Sequence, residues 1–142
     1  MKTLKSIMLG LALLVAGTVA NAANKPTPAA LTKNEVLNIY INAVVHGKTE
    51  GLNEILDDNI QYIMTRGSNV TTLNKKRILA SFKASENIEQ DCKYITTIIE
   101  DTREGMIVKL ELQYGGYVRT NLITISLNRP DWKITKIENV PS

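Results

Sequence analysis

Arg119 and Asn121 stand two residues apart in the segment "VRTNLITI", whose later alternate members, Ile123 and Ile125, are apolar. On an extended chain that spacing sends both polar groups to one side of the strand. A guanidinium and a carboxamide side by side are groups that fix a polar ligand. Tyr40, Tyr62, Tyr114, Tyr117 and the sole tryptophan, Trp132, supply aromatic surface, each ring carrying a polar atom. With Arg119 and Asn121 they form the candidate ligand-binding set.

The other reactive residues lack partners. His46 is the only histidine, so there is no histidine pair for a metal, and no nucleophile elbow accompanies it. It reads as a helix-end residue, favourably placed against the dipole. Asp57-Asp58 read as solvated carboxylates rather than cation ligands. Cys92 is alone, so no internal disulfide can form. It reads as a small buried apolar residue rather than a reactive thiol. Lys75-Lys76-Arg77 read as a solvated basic patch, with an anionic ligand or partner surface as the alternative. No Gly-rich phosphate loop occurs. No catalytic set, metal site or cofactor is expected. Asn69-Val70-Thr71 matches a glycosylation sequon, which matters only in a eukaryotic host.

The elements that position these residues follow from patterning. Lys2 and Lys5, the apolar run Ile7 to Val19 and Ala20-Asn21-Ala22 have the order of a cleaved secretory signal peptide over residues 1–22. The run is short for a bilayer span, so no stable membrane anchor is expected, and the mature chain is placed in the periplasm or outside the cell. The whole chain has 17 basic and 14 acidic residues; without Lys2 and Lys5 the balance falls to 15 against 14, a net of +1. Nucleic acid is therefore not an expected partner. Residues 23–30, with Pro26 and Pro28, read as a disordered lead-in, and residues 31–142 as a single domain.

Thr32 and Glu35 make a capping box for a first helix with the apolar stripe Val36, Leu37, Tyr40, Ala43 and Val44, stopped at Gly47. A short helix is expected around 49–57, a strand over 60–65, and a turn at Gly67-Ser68-Asn69 into a strand near Val70. Asn74 caps a third helix whose apolar face is Ile78, Leu79 and Phe82. Strands follow at roughly 92–101, 106–114, 117–127 and 132–139. The order gives an α+β fold with an antiparallel meander.

Gly115-Gly116 sets a register. As a two-residue loop, expected in a primed turn, it pairs Tyr114 with Tyr117, Leu112 with Arg119, Leu110 with Asn121, Val108 with Ile123 and Met106 with Ile125. That face is apolar and must be covered, yet it holds Arg119 and Asn121. Burying either unpaired costs about 2 kcal/mol or more. Two arrangements answer this. Arg119 lies near the sheet's end and sends its head to solvent or an acidic neighbour, or both groups enter a cavity between sheet and helices. The opposite face, with Lys109, Glu111, Gln113, Thr120 and Thr124, suits water or a partner subunit. Trp132 depends on the last turn. A two-residue Pro-Asp turn pairs it with Arg129 and puts it inside with Ile134, whereas a three-residue turn flips both outward and brings Ile137 in.

The segments "VLNIYINAVVHGKTEGLNEILDDNIQY" and "DWKITKIENV" resemble the opening and closing elements of the nuclear transport factor 2-like superfamily, over nearly all of 31–140. Within it the chain looks nearest to small exported bacterial proteins described as lumazine-binding or of unknown function. The resemblance implies a strongly bent antiparallel sheet wrapped as a cone around three helices, a pocket in the cone, and homodimers through the sheet. Some members are ketosteroid isomerases, which use a helix tyrosine, matched here by Tyr40, and two carboxyl groups. The matching positions here are Met64 and Ile123, which cannot transfer or donate a proton. The expected function is then non-catalytic small-molecule binding or homodimerisation. An isomerase- or cyclase-like enzyme with another base and a protein-interaction module remain as alternatives.

Overall fold

The structure is a computed structural model that describes residues 30–141; the signal peptide expected over 1–22, and the lead-in over 23–30 apart from its last residue, lie outside the described residues. Helix α1 (Lys33–His46) opens with the expected capping box. The Glu35 amide donates to the Thr32 hydroxyl at 3.1 Å, and the Thr32 amide donates to the Glu35 carboxylate at 2.9 Å. Such a cap contributes about 1 kcal/mol.

Gly47 ends α1 at φ 67°, and a Cβ there would sit 2.6 Å from the Ile88 amide nitrogen. Only glycine meets both demands. The chain crossing at that point is fastened to the helix end by the Asn87 amide on the Gly47 carbonyl at 2.9 Å and the Gln90 amide on the Val45 carbonyl at 2.7 Å. His46 adds a contact between Nδ1 and Glu89 at 2.6 Å, so it is a helix-end residue as expected.

Helix α2 (Leu52–Ile55) is a single turn, shorter than the expected 49–57. Leu56 already belongs to β1 (Leu56–Arg66), where it pairs with Ile134, so sheet pairing overrides the helical pattern. Strand β2 (Asn69–Leu73) follows, then α3 (Lys75–Ala84), whose Arg77 amide donates to the Asn74 cap at 3.0 Å. The meander is β3 (Lys93–Asp101), β4 (Gly105–Gln113), β5 (Val118–Asn128) and β6 (Asp131–Val140).

All form one six-stranded sheet in the order β2-β1-β6-β5-β4-β3. It is open, curved and mixed rather than wholly antiparallel. Strand β6 returns along β1 in the same direction, while α3 carries the chain from the β2 edge across to the β3 edge. The core lies between the sheet and the helices, where Leu110, Ile123, Ile125, Ile134 and Ile137 meet Val36, Tyr40, Leu52 and Ile55. Each such side chain contributes roughly 1.5–3 kcal/mol by leaving water.

The β4–β5 register is the expected one, from Leu112 opposite Arg119 to Met106 opposite Ile125. The turn differs from expectation. Neither Gly115 nor Gly116 adopts the positive φ of a primed turn, and the Tyr114 amide closes it on the Tyr117 carbonyl at 2.9 Å. In the last hairpin the turn residues are Arg129-Pro130, joined by a cis peptide bond, so Trp132 pairs with Leu127 and not with Arg129. A bulge at Thr135 then resolves the choice between Ile134 and Ile137. Ile134 faces Ile125, Lys136 faces Thr124 and Ile137 faces Ile123, so both isoleucines enter the core.

Candidate functional site

Period-two spacing on β1 sends Tyr62, Met64 and Arg66 to one side, and α1 delivers Tyr40, Ala43 and Val44 from its last turns. Ile78, Ser81, Phe82 and Ser85 recur at helical spacing along α3 and close the other wall. Arg119 of β5, Asn139 of β6, Leu73 of β2 and Gln90 of the fastened crossing segment complete a cavity of about 390 Å³. That is within the usual range for a small-molecule pocket, roughly 300–1,000 Å³. A shallower hollow of about 290 Å³, lined by Met64, Arg66, Asn69 and Thr71, shares two of these residues.

A buried polar group lies beside the cavity, behind its lining. Asn121 is 1 % exposed, and neither its amide nitrogen nor its amide oxygen has a hydrogen-bond partner among the described residues. It stands close enough to the Tyr40 and Tyr62 phenols to influence their ionisation without reaching hydrogen-bonding geometry. An unsatisfied buried amide costs about 1–3 kcal/mol. Burial pushes the Tyr40 phenol well above its ordinary range, and neighbouring Tyr62 adds to this, while the Arg119 charge pulls the other way. Tyr62 is raised by burial too, again opposed by Arg119. Both phenols are therefore neutral hydrogen-bond donors at neutral pH. Phe82 packs edge-on to Tyr40, with centroids 5.9 Å apart.

Of the residues singled out in the sequence, Tyr40, Tyr62 and Arg119 line the cavity and Asn121 lies beside two of them. Tyr114 stands at the rim, where its hydroxyl donates to Gln90 at 3.0 Å; burial raises its pKa, and half-buried Cys92 is a neighbour. Tyr117 stacks on Tyr114 at 4.8 Å but is 59 % exposed and stays outside, because the turn ends the sheet there. Trp132 is not part of the lining. Its register on β6 takes it under the first turn of α1, with the Lys33 ammonium 5.1 Å from its ring centre, while the cavity lies by the last turns. The sequence reading missed Arg66, Ser81 and Gln90. Arg66 carried a signal, since it continues the alternate face begun by Tyr62, whereas Gln90 is delivered by a loop with no period of its own.

Three of the remaining charged candidates, Lys75, Asp57 and Asp58, are engaged in local contacts. Lys75 of the basic triplet meets Asp58 at 3.1 Å, and Asp57 accepts from the Asn59 amide at 2.9 Å and the Asn128 side chain at 3.2 Å.

A curved six-stranded sheet covered by helices, with a cavity between them, defines an α+β cone-type fold. The chain has the nuclear transport factor 2-like fold, which fits the resemblance read from its first and last segments. It is similar to an NTF-2 like protein of unknown function from Silicibacter pomeroyi, at 13 % identity, TM-score 0.62, over 75 % of this chain and 90 % of that one. It is likewise similar to an NTF2-like protein from Cytophaga hutchinsonii, at 15 % identity, TM-score 0.58, over 79 % and 100 % of the two chains. A third likeness is to an NTF2-like protein of unknown function from Shewanella baltica, at 11 % identity, TM-score 0.58, over 77 % and 91 %. No protein-family model and no curated protein matches the sequence.

Proposed function

We propose that the protein is exported and binds a small molecule in the cone without transforming it. The observation that carries this reading is Asn121, a buried amide with no hydrogen-bond partner among the described residues, beside two phenols that line the cavity. A polar group is kept in such a place at a cost to stability, and the Tyr40 and Tyr62 hydroxyls beside it are the lining groups through which a bound ligand offsets that cost. Among the described residues the lining contains no Asp, Glu or His, and at the two positions where the isomerases of the resembled family have carboxyl groups stand Met64 and Ile123. That supports binding over acid–base catalysis. The lumazine-binding description of the resembled bacterial proteins makes lumazine one ligand worth including.

The test is a thermal-shift screen of a metabolite panel, lumazine among its members, against the purified chain and Ser81→Trp. Ser81 is an exposed helix residue, so an indole there fills the cavity while the fold survives. Ligands that stabilise the parent and lose that effect in Ser81→Trp support the reading; a panel without such a ligand counts against it. Export is checked separately by N-terminal sequencing of the protein recovered outside the cytoplasm, with Ala23 expected as the first residue.

A second reading concerns the far edge of the sheet. Every residue of β3 is exposed, and Ile95, Ile98 and Ile99 are each at least 46 % exposed. An uncovered apolar edge strand favours pairing with another chain. We propose a second copy of this chain as that partner, forming a homodimer through the sheet. Sedimentation of the parent against Ile98→Glu tests it, with a dimer that falls to monomer as the expected result.

A further inference from the structure

Charge in the cavity is one-sided. Arg66 and Arg119 both contribute to its wall, with no acidic residue in the lining among the described residues. Neither guanidinium has a carboxylate within ion-pair distance among the described residues, although Lys33, Lys75, Lys83, Lys109 and Lys136 all do. Arginine presents a planar fork of donors that matches an oxyanion in two-point contact. The Tyr40 and Tyr62 hydroxyls, neutral and held beside Arg119, can add donor hydrogen bonds. On the other walls Val44, Met64, Leu73, Ile78 and Phe82 offer an apolar surface without donors.

The helices limit how much negative charge is welcome. Tyr40, Ala43 and Val44 come from the C-terminal half of α1, and Ser81, Phe82 and Ser85 from the C-terminal end of α3; Leu73 and Ile78 flank the N-terminal turn of α3, but residues 74–77 of that turn are not among the described lining. The carbonyl ends of helices disfavour anions, and phosphate groups are characteristically held at the opposite, N-terminal ends. Two arginines, with no lysine and no cap residue of a helix N-terminus in the described lining, therefore fit one negative charge better than a phosphate dianion.

We infer that the cavity binds a monocarboxylate with a compact apolar body, its carboxylate gripped by Arg119 and Arg66 and its body against Phe82, Ile78 and Leu73. This rests on the proposal that the cone is a ligand pocket, and it names the ligand's class. The carboxylate is the part that is recognised, and the apolar walls select size.

The experiment is isothermal titration of the full chain with a matched panel: phenylacetate, octanoate, phenylacetamide, octanamide and phenyl phosphate. At least one acid is expected to bind, with its amide and phenyl phosphate each about tenfold weaker or worse, as loss of a charge-assisted hydrogen bond implies. Arg119→Gln and Arg66→Gln are expected to weaken the acid by about tenfold each and to leave the amide unchanged. Both arginines are exposed, so the variants fold, and circular dichroism checks that. An amide or phosphate that binds as well as its acid overturns the carboxylate assignment. So does an acid whose affinity survives both arginine substitutions, or a panel in which no acid binds. If, in any of these cases, neutral ligands of the wider screen still lose binding in Ser81→Trp, the pocket reading stands and only the class has failed. If nothing binds in either experiment, both have failed.

Discussion

The two ends of the cone are built on opposite rules. At the start of α1 the space under the helix is filled. Trp132 packs against the core, and Lys33 spans its ring and reaches the Asp101 carboxylate and the Thr102 carbonyl, so each charge has a partner. At the other end of the same helix the space is left open. There, among the described residues, Arg119 and Arg66 lack acidic partners, Asn121 has no hydrogen-bond partner for either amide atom, and a cavity of about 390 Å³ remains. One end stores packing and ion-pair energy, and the other holds unsatisfied groups in position. The difference separates residues whose mutual contacts make the fold from residues that the fold leaves without partners among those described.

Removing the plug is the largest way to break this contrast. Trp132→Ala is expected to destabilise the protein by about 2–3 kcal/mol, below the range for a fully buried ring because Trp132 is only partly covered. Urea titration measures it, with the midpoint falling and the slope unchanged. Ligand affinity in the cavity should hold at temperatures where the variant is folded. A comparable loss of affinity would mean that the two ends are not independent.

The reverse substitution lies at the open end. Asn121→Leu replaces an unpaired buried amide by an apolar group of similar volume, among Leu110, Leu112 and Ile123. It is expected to raise stability by about 1–2 kcal/mol while weakening ligand binding. A fall in stability would show instead that the amide is satisfied in the folded chain and serves packing.

Much of this contrast was legible in the sequence, and unevenly so. The β4–β5 register followed from one turn length and the alternation of apolar residues, which placed Arg119 and Asn121 on the face of Leu110 and Leu112 as found, with Asn121 buried and Arg119, near the sheet's end, exposed. The capping residues Thr32 and Asn74 and the stop at Gly47 were legible because they are local chemistry. What escaped depends on pairing between distant segments. Leu56 leaves the helical pattern because Ile134 is beside it. Trp132 settled where the Thr135 bulge and the Arg129-Pro130 turn put it, and neither has a signal in one-dimensional alternation. The cavity's wall at Gln90 depends on the crossing segment's grip on α1, a contact across more than forty residues that no periodicity announces.

Titration separates the two ends as well. Tyr40 is buried with its pKa raised, chiefly by desolvation, so the folded state holds that proton more tightly than the unfolded one. Its contribution is complete below the unfolded tyrosine pKa near 10 and is lost as pH rises from there towards the folded value. Stability should then fall at up to ~1.4 kcal/mol per pH unit for this phenol, and Tyr40→Phe should flatten the fall while Trp132→Ala leaves its slope alone. Chemical denaturation of the three proteins between pH 9 and pH 11, values on the order of the tyrosine range, measures the difference. Equal slopes for the parent and Tyr40→Phe would mean that the phenol ionises without penalty.

The smallest expected effect compares a cation at each end. Lys33 contributes an exposed ion pair and a contact over the indole, together about 0.5–1 kcal/mol, so Lys33→Gln should lower stability by that amount. Part of the loss should vanish in 1 M salt, because the Asp101 pair is screened while the contact over the ring is screened less. Arg119→Gln removes a charge that no acidic side chain pairs with among the described residues, so the unliganded protein should keep its stability or gain slightly. The two variants differ by one charge each, and thermal melts at low and high salt compare them directly. A loss at Arg119 equal to that at Lys33 would make the open end a structural site like the closed one, with its arginine held for the fold and not for a ligand.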